Sequence, residues 1–285
     1  MFDKVLVSMD LSPATEALVS ALPGLRDFGT KELALVHVAK PFSGRTSDSL
    51  TRIAELRDRL SSLGDRLEED GFSVTVSVQT GAPVTEVVKA VETIQPDVVL
   101  VGSRGHTLIR EAFVGSVAWD VVRQVGCPVL LQRIEPNRND PEAALESRGS
   151  GLPKHVVYPT DFSDTAKRAR PWLEALVQAG AQSVTLLHVM PPSSKDERSA
   201  AEGQLDELAQ ELREQGATDV NCRVRVGTPH EEILNAGGNK VDTMVVMGTH
   251  GRGFLPGVVL GSVGRQVVRQ ASARVLIVPG DQPEA

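Results

Sequence analysis

Two stretches of the chain, GSRGHTLIREAFVGS at 102–116 and GTHGRGFLPGVVLGS at 248–262, place glycines at the same intervals. In each stretch two glycines stand three residues apart, and nine residues separate the second one from a Gly-Ser pair. A glycine lets the backbone approach a ligand without a Cβ in the way, and the N–H groups at the start of a helix suit phosphate. The spacing therefore predicts two anion-binding loops, with these residues as contacts: Gly102, Gly105, Gly115, Ser116, Gly248, Gly251, Gly261 and Ser262.

Each glycine stretch follows a short Val-rich run, VVLVG or MVVMG, and ends where a helical pattern begins. In open parallel sheets, ligands bind beyond the carboxyl ends of the strands, which is where such a loop would lie. The stretches are neither Walker loops, since GxxxxGK[ST] is absent, nor dinucleotide fingerprints, since the first strand–helix turns, DLSPAT and DFSDTA, lack GxGxxG. The alternative is that these glycines serve only tight turns. The duplicated spacing favours binding loops.

The glycine stretches belong to a repeat that covers most of the chain. KVLVSMDLS at 4–12 matches HVVYPTDFS at 155–163, and GAPVTEVV at 81–88 matches GTPHEEIL at 227–234. The offset between copies falls from 151 at the first of these segments to 146 at the second, so the first copy carries five additional residues between them. Internal repeats of this length indicate duplicated domains. The predicted organisation is a first domain at 1–135, a polar linker at 136–152 and a second domain at 153–285.

Within each copy, short apolar runs alternate with longer helical patterns. The runs are nearly unbroken Val and Leu, which is typical of parallel strands buried on both faces. One helical stripe is formed by Ile53, Leu56, Leu60, Leu63 and Leu67, and another by Leu205, Leu208 and Leu212. Strand–helix alternation predicts an α/β fold with helices on both faces of a parallel sheet. We expect the stripes to pack on that sheet; the alternative is a seam for a partner helix.

Composition excludes several classes of protein. The 285 residues are 41% hydrophobic, 4% aromatic and 24% charged, with a net charge of −7, which argues against a nucleic-acid binder. The two cysteines, Cys127 and Cys222, form no metal-ligand spacing. We expect no membrane span and no signal peptide, because the longest apolar runs are too short for a span and the N-terminus leads directly into a strand pattern. A cytoplasmic protein is the simplest expectation.

The G-x-x-G, nine residues, G-[S/T] pattern after the fourth strand resembles the nucleotide-binding motif of the universal stress protein family, and the resemblance covers nearly the whole chain outside the linker. It implies two tandem flavodoxin-like, Rossmann-like domains, each a five-stranded parallel sheet of order 3-2-1-4-5, that bind ATP or AMP, with or without Mg²⁺. It also implies that Asp10 and Asp161 lie near the ribose and adenine, and that Val38 and Val189 offer their backbone to the adenine.

The resemblance has two further implications. Some members carry a second hydroxyl after the G-[S/T] pair, where this chain has Val117 and Val263. The last strands, 129–132 and 275–278, are expected to pair the copies into an internal pseudo-dimer, and association of two chains into a homodimer is left open.

The second pocket is favoured as the occupied one, because Gly253 and Gly257 make its loop more pliant.

Charged residues in and around the loops complete the set of candidates. Arg104, Arg110 and Arg252 are placed to meet phosphate charge, the alternative being solvated loop cations. For Asp10 and Asp161 the alternative is a helix cap or a turn.

The histidines are weaker candidates. His37 and His188 lie inside strands and are expected to be structural, and His106 and His250 stand in the loops without a catalytic triad.

The predicted function is an adenine-nucleotide binder that acts in stress response through conformation or partners. We assign it no catalytic or metal-ligating residue. Rapid phosphoryl transfer needs positioned metal ligands and a residue that orients the nucleophile, so a binder fits the sequence better than an efficient enzyme. Two alternatives stay open: a protein-interaction module with relic pockets, and a very slow ATPase.

Overall fold

In a computed structural model of the chain, the structure describes residues 2–41, 46–103, 114–137, 145–191, 198–238, 240–251 and 260–280. The chain divides into two compact units, with the boundary between Gly151 and Leu152. Among the described residues, the helices lack the combination of length and apolar character that a membrane crossing requires.

The first unit contains a five-stranded parallel sheet of order β3-β2-β1-β4-β5. A short antiparallel hairpin, β6 and β7, follows it. The elements in chain order are β1 (Lys4–Met9), α1 (Ala14–Val19), a 3-10 helix (Leu22–Phe28), β2 (Glu32–Ala39), α2 (Thr46–Glu69), β3 (Ser73–Thr80), α3 (Pro83–Ile94), β4 (Val98–Gly102), α4 (Ser116–Gln124), β5 (Val129–Gln132), β6 (Ile134–Pro136) and β7 (Leu145–Ser147).

The second unit repeats this sheet with the order β10-β9-β8-β11-β12, all parallel. Its elements are β8 (His155–Pro159), α5 (Asp164–Gln178), β9 (Ser183–Met190), α6 (Arg198–Glu214), β10 (Asp219–Val226), α7 (Pro229–Gly237), β11 (Thr243–Gly248), α8 (Ser262–Gln270) and β12 (Arg274–Val278). The predicted α/β class with two tandem parallel-sheet domains is confirmed, and each sheet has the order that the family resemblance implies.

The central strands are buried on both faces, as their unbroken apolar runs predict. In the first unit Val5, Leu6 and Val7 on β1 are buried, and in the second Val156 and Val157 on β8 are buried. Right-handed crossovers place α1 and α2 on one face of the first sheet and α3 and α4 on the other, and α3 and α4 contact each other. This arrangement brings the ends of β1, β2 and β4 to one edge of the sheet.

The additional length of the first copy lies in α2, which has 24 residues where α6 has 17. The connections before and after α2 are each one residue shorter than those around α6, so the net difference is five residues. The leucine stripe is aligned at the carboxyl half of both helices, and Leu60, Leu63 and Leu67 are buried. Ile53 and Leu56, in the longer amino half, are only partly buried. The part of the predicted stripe that packs fully is therefore the part that both copies share.

The helix after the first strand begins differently in the two units. Ser163 caps α5, its Oγ accepting the N–H of Ala166 at 3.2 Å. In the first unit Pro13 is the cap residue of α1 rather than its first helical residue, and Ser12 Oγ accepts the N–H of Ala14 at 3.1 Å. The two helices thus begin one residue apart in the repeat, and in both units the serine binds a backbone N–H.

The segment predicted as a linker folds onto the first unit as the hairpin β6–β7 and the turn after it, here called the strap (residues 134–151). Its described residues contact α1, and a Cβ on Gly24 would overlap the backbone of Gly151. Gln132 holds the strap: its Nε2 lies 2.8 Å from Ser147 Oγ, 3.0 Å from Arg148 O and 2.8 Å from Gly149 O. Arg148 adds an ion pair to Glu135 at 2.8 Å.

Candidate functional site

A cavity of about 340 Å³ opens at the carboxyl ends of the strands of the second unit. This volume lies within the range of roughly 300–1,000 Å³ that is usual for small-molecule sites. Its described lining residues come from the ends of β8, β9 and β11 and from the first turns of α5, α7 and α8. They are Pro159, Thr160, Asp161, Ala166, Leu187, Val189, Pro229, Ile233, Met247, Gly248, Thr249, His250, Gly251, Gly261, Ser262, Val263 and Gly264.

Thr249 fixes the root of the glycine loop. Its backbone N–H donates to Val278 O at 3.0 Å, and its carbonyl accepts the N–H of Gly261 at 2.9 Å. Its hydroxyl accepts the N–H of Gly280 at 3.1 Å. These three hydrogen bonds hold the end of β11, the start of α8 and the end of β12 together, so the loop leaves and returns at a fixed place.

Ser103 makes the same three bonds in the first unit. Its N–H donates to Gln132 O at 2.8 Å, and its carbonyl accepts the N–H of Gly115 at 3.0 Å. Its hydroxyl accepts the N–H of Ile134 at 3.0 Å. A hydroxyl directly after the first loop glycine is therefore structural in both copies, and the identical geometry shows that both loops have the same entry and exit.

The start of α8 forms the polar wall of the cavity. The helix begins at Ser262 with Gly261 as its cap residue, and no side chain caps it. The first three N–H groups of a helix have no intrahelical acceptor, and the positive end of the helix dipole favours an anion. No acidic residue stands in the first turn. The wall therefore has the donors and the field that a phosphate needs, and α4, with Gly115 as its cap residue, repeats it.

Asp10 and Asp161 stand at matching positions in the repeat, and each stabilises a turn in its unit. Asp161 Oδ1 accepts the N–H of Ser163 at 3.1 Å, and Asp10 Oδ1 accepts the N–H of Ser12 at 3.0 Å. Both aspartates thus make the turns that precede their helices, which is the alternative left open by the sequence. Asp161 also lines the cavity, so the turn does not prevent it from meeting a ligand.

A bulky residue in the left-handed backbone region follows each aspartate. Leu11 has φ of 54° and Phe162 has φ of 61°. This conformation costs roughly 1–2 kcal/mol for a residue with a Cβ, and such strain concentrates at functional sites. Its presence in both units indicates that the turn after each aspartate is held by its surroundings rather than by local preference.

His37 and His188 hold the strand ends, in line with the expected structural role. His188 Nδ1 donates to Thr160 O at 2.7 Å, and His37 Nδ1 donates to Met9 O at 2.9 Å. Both rings are buried. His188 thereby fixes the position of the next residue, Val189, on the cavity wall.

The structure brings six predicted residues together around the cavity of the second unit: Asp161, Val189, Gly248, Gly251, Gly261 and Ser262. Their counterparts in the first unit stand at the matching places in the fold: Asp10, Val38, Gly102, Gly115 and Ser116. The other predicted contacts and loop cations lie outside the described residues: Gly105, Arg252, Arg104, Arg110, His106, Gly253 and Gly257.

The sequence did not single out the apolar walls of the cavity. Leu187 and Met247 come from strand ends, and Ile233 comes from α7, one helical turn after Pro229. The repeated G-[A/T]-P segment marks the start of α3 and α7, and a step of four residues from its proline in the second copy would have identified Ile233 as a wall residue. Ala166, in the first turn of α5, has no such signal.

The arrangement is suited to binding a ligand with an apolar planar end and an anionic end. Apolar side chains, the uncapped start of α8 and the carboxylate of Asp161 all line this one cavity. Among the described residues, no cluster of three or more histidine, cysteine or acidic side chains could hold a metal ion. The cavity therefore offers backbone donors and apolar contacts as its main chemistry.

A family model described as "Universal stress protein family" matches residues 1–133 and 153–279. A solved structure of a universal stress protein from Archaeoglobus fulgidus has a TM-score of 0.75 and 22% identity, covering 98% of this chain and 99% of that one. Universal stress protein MJ0577 of Methanocaldococcus jannaschii is 30% identical over 44% of this chain and 94% of its own length. YxiE of Bacillus subtilis is 28% identical over 47% of this chain and its full length.

Proposed function

This chain belongs to the universal stress protein family, and we propose that it binds an adenine nucleotide, ATP or AMP, in the cavity of its second unit. We further propose that occupancy changes its conformation or its partners during a stress response. The observation that carries the proposal is the pairing of an apolar cavity with an uncapped helix start at the glycine loop.

The two ends of the cavity match the two ends of a nucleotide. We assign the base to the apolar region formed by Leu187, Val189 and Ile233, and the phosphates to the first turn of α8, where Gly261 and Ser262 lie. The helix dipole and the unpaired N–H groups stabilise phosphate charge there. Asp161, at the end of β8, is the acceptor that we assign to the ribose hydroxyls.

The side chains around the cavity favour binding over rapid turnover. Phosphoryl transfer at useful rates needs a positioned metal and a residue that orients the nucleophile. Asp161 is the one carboxylate among the described lining residues, and one of its oxygens already accepts the N–H of Ser163. We therefore propose that the nucleotide acts as a bound signal, and that hydrolysis, where it occurs, is slow.

Two other functions remain candidates. A protein-interaction module with relic pockets would retain the fold without binding nucleotide. A slow ATPase would use the same cavity and release phosphate. The preserved hydrogen bonds around Thr249 and Ser103 support working loops in both units, since a relic loop has no need for a fixed entry and exit.

Titration of the purified chain with ATP and with AMP, with and without Mg²⁺, separates these functions. The proposal expects saturable heat in calorimetry and a rise in melting temperature with ligand concentration. An interaction module gives neither effect. A slow ATPase gives both, and in addition releases phosphate at a rate that survives further purification and falls in Asp161→Ala.

A further inference from the structure

A buried hydroxyl without a partner lies at the nucleotide edge of the first unit. Thr15, in the first turn of α1, is only 3% exposed. Within the described part of the chain, its Oγ1 makes no hydrogen bond. Leaving such a group buried and unpaired is costly, so an unpaired hydroxyl in a native fold needs an explanation.

The position of Thr15 in the repeat matches that of a cavity-wall residue in the second unit. It stands five residues after Asp10, as Ala166 stands five residues after Asp161. Ala166 lines the cavity of the second unit. The wall that is a methyl group in one unit therefore carries a hydroxyl in the other.

Two neighbouring hydroxyls on the same edge are occupied by protein groups. Ser12 Oγ accepts the N–H of Ala14, and Ser103 Oγ accepts the N–H of Ile134. These bonds are internal to the turn and the loop root. The edge is thus built so that its structural hydroxyls are paired while Thr15 is left available to something else.

Another unpaired threonine in this unit provides a contrast. Thr30 is as buried as Thr15, and its Oγ1 also makes no hydrogen bond among the described residues. It lies two residues before the start of β2, at the amino edge of the sheet, where Lys31 N–H donates to Asp3 O. Ligands of open parallel sheets bind at the opposite edge, so only Thr15 is placed to meet one.

The positions that match the apolar cavity walls of the second unit carry smaller side chains in the first. Where the second unit has Leu187, Ile233 and Met247, the first has Val36, Val87 and Val101. The three valines are buried. At these matched positions the first unit thus combines smaller apolar side chains with a larger, polar one at residue 15, and the second unit combines the reverse.

The helix start at the same edge of the first unit has the same form as in the second unit. Gly115 is the cap residue of α4, with no side-chain cap and no acidic residue in the first turn. Its N–H is held by Ser103 O at 3.0 Å. An anion-binding helix start and a buried unpaired hydroxyl therefore lie on one edge of the first unit.

We propose that the first unit carries its own nucleotide site and that the Thr15 hydroxyl makes a hydrogen bond to the bound nucleotide, so that the two sites of one chain are not equivalent. This inference rests on the nucleotide-binding function proposed above. The first site selects its ligand through a hydrogen bond, and the second contacts the ligand at the same position through the methyl group of Ala166.

The test isolates the first site with Gly251→Val, which places a side chain against Asp161 in the second unit. In that background, ATP and AMP are titrated against Thr15→Val, Thr15→Ser and Thr30→Val. Thr15→Val is expected to weaken binding about 3- to 10-fold, the value of one hydrogen bond. Thr15→Ser is expected to restore affinity, and Thr30→Val is the matched control that leaves affinity unchanged.

A second readout needs no ligand. If the Thr15 hydroxyl is unpaired in the free protein, Thr15→Val removes a buried polar group and is expected to raise the melting temperature while it weakens binding. A purely structural threonine would show the opposite, a lower melting temperature with unchanged affinity. Thr30→Val is expected to raise the melting temperature alone.

The outcomes separate the inference from the function on which it rests. If the wild-type chain binds no nucleotide, the proposed function fails and the inference falls with it. If the wild type binds but the Gly251→Val chain does not, or if Thr15→Val binds as tightly as its parent, only the inference is overturned. Should Gly251→Val unfold, fluorescence of Trp119 on α4 in a Trp172→Phe chain reports the first site instead, with the same expected weakening in Thr15→Val.

Discussion

The carboxylate of Asp161 lies directly against Gly251, so close that a Cβ on residue 251 would overlap its Oδ2. The contact joins the turn that begins α5 to the glycine loop that follows β11, two parts of the second unit that are far apart in sequence. Gly251 has no left-handed backbone requirement. A glycine is needed there because a side chain at residue 251 would occupy the space that the carboxylate of Asp161 fills.

Gly251→Ala tests this contact. The added methyl group meets only the end of a flexible side chain, so we expect a small change in the free energy of unfolding, below about 1 kcal/mol. Asp161 must move, and we expect ATP affinity to fall at least about 10-fold, the effect of one lost charged hydrogen bond. Calorimetric titration and urea unfolding measure the two effects.

Gly203→Ala is the matched control, because a Cβ at residue 203 meets nothing within 4 Å. It lies within α6, where alanine in place of glycine stabilises a helix by up to about 1 kcal/mol. Its affinity for ATP should equal that of the wild type. Equal ATP affinities in Gly251→Ala and Gly203→Ala would show that neither Asp161 nor Gly251 contributes to nucleotide binding.

Much of the fold could be predicted from the sequence, because parallel strands buried on both faces have a direct signature in unbroken runs of Val and Leu. The repeat then predicts the same order of strands and helices in both copies. The shortness of α1 was not predictable in this way, since it depends on the 3-10 helix at Leu22–Phe28, which has no counterpart in the second copy. The left-handed conformation of Leu11 and Phe162 goes against residue preference, so no local signal announces it.

The strap shows the same limit. Its composition, rich in polar residues, proline and glycine, is typical of a linker, and the contact that holds it comes from Gln132, at the end of β5. Gln132→Ala is expected to lower the free energy of unfolding by about 1–3 kcal/mol, because buried carbonyl groups of the strap lose their donor. Urea unfolding measures this, and a loss under 0.5 kcal/mol, roughly that of a surface change, would contradict it.

Limited proteolysis gives the local readout for the same variant. Cleavage between residues 137 and 150 should become faster in Gln132→Ala than in the wild type, because the strap is held less tightly. Gln210→Ala is the control, since Gln210 is exposed and its side chain donates to Glu214 within α6, away from the strap in sequence. Cleavage at the same rate in all three proteins would show that other contacts hold the strap.

The ring of His155 makes the free energy of unfolding depend on pH, and the sign of this dependence follows from its pKa. Burial lowers its pKa below the ordinary 6.5, and the charges of Lys240 and Arg223 lower it further, partly opposed by Asp219. The unfolded chain therefore takes up this proton first on acidification. The contribution of His155 to the free energy of unfolding is fully present above about pH 6.5. It is lost as the pH falls from there through the folded-state pKa.

His155→Gln tests that sign. Between pH 7.5 and pH 5, the free energy of unfolding should fall less in the variant than in the wild type, because the variant has no proton to bind at this place. Urea unfolding at both pH values measures the difference, and carboxylates common to both proteins cancel. An equal or steeper fall in His155→Gln would show that the ring does not resist protonation in the folded state.

The two thiols are predicted to be inert. Burial raises the pKa of Cys127 from 9.0 to about 11, and burial together with Asp206 raises the pKa of Cys222 to about 11. Since the thiolate is the reacting form, a rise of two pKa units lowers its fraction about 100-fold near pH 8. Iodoacetamide labelling of the folded chain should be slower by at least that factor than in guanidinium, and equal rates would contradict the raised pKa values.

The site was less predictable than the fold. The glycines and aspartates could be found from their spacing, because the repeat shows the same intervals twice. The difference between Thr15 and Ala166 is visible in the aligned sequences, but its meaning depends on burial and on missing hydrogen bonds, which only the packed structure supplies. The apolar walls likewise became residues of one site only when strands and helices distant in sequence were brought together.

The central claim is tested most directly by identifying what the chain carries from the cell. Freshly purified, undialysed protein is denatured, and the released small molecules are identified and counted by mass spectrometry, with Gly251→Val purified in parallel. We expect ATP or AMP at one to two per chain in the wild type and a reduced amount in the variant. No adenine nucleotide in either protein, together with no thermal shift on adding millimolar ATP and magnesium, would contradict it.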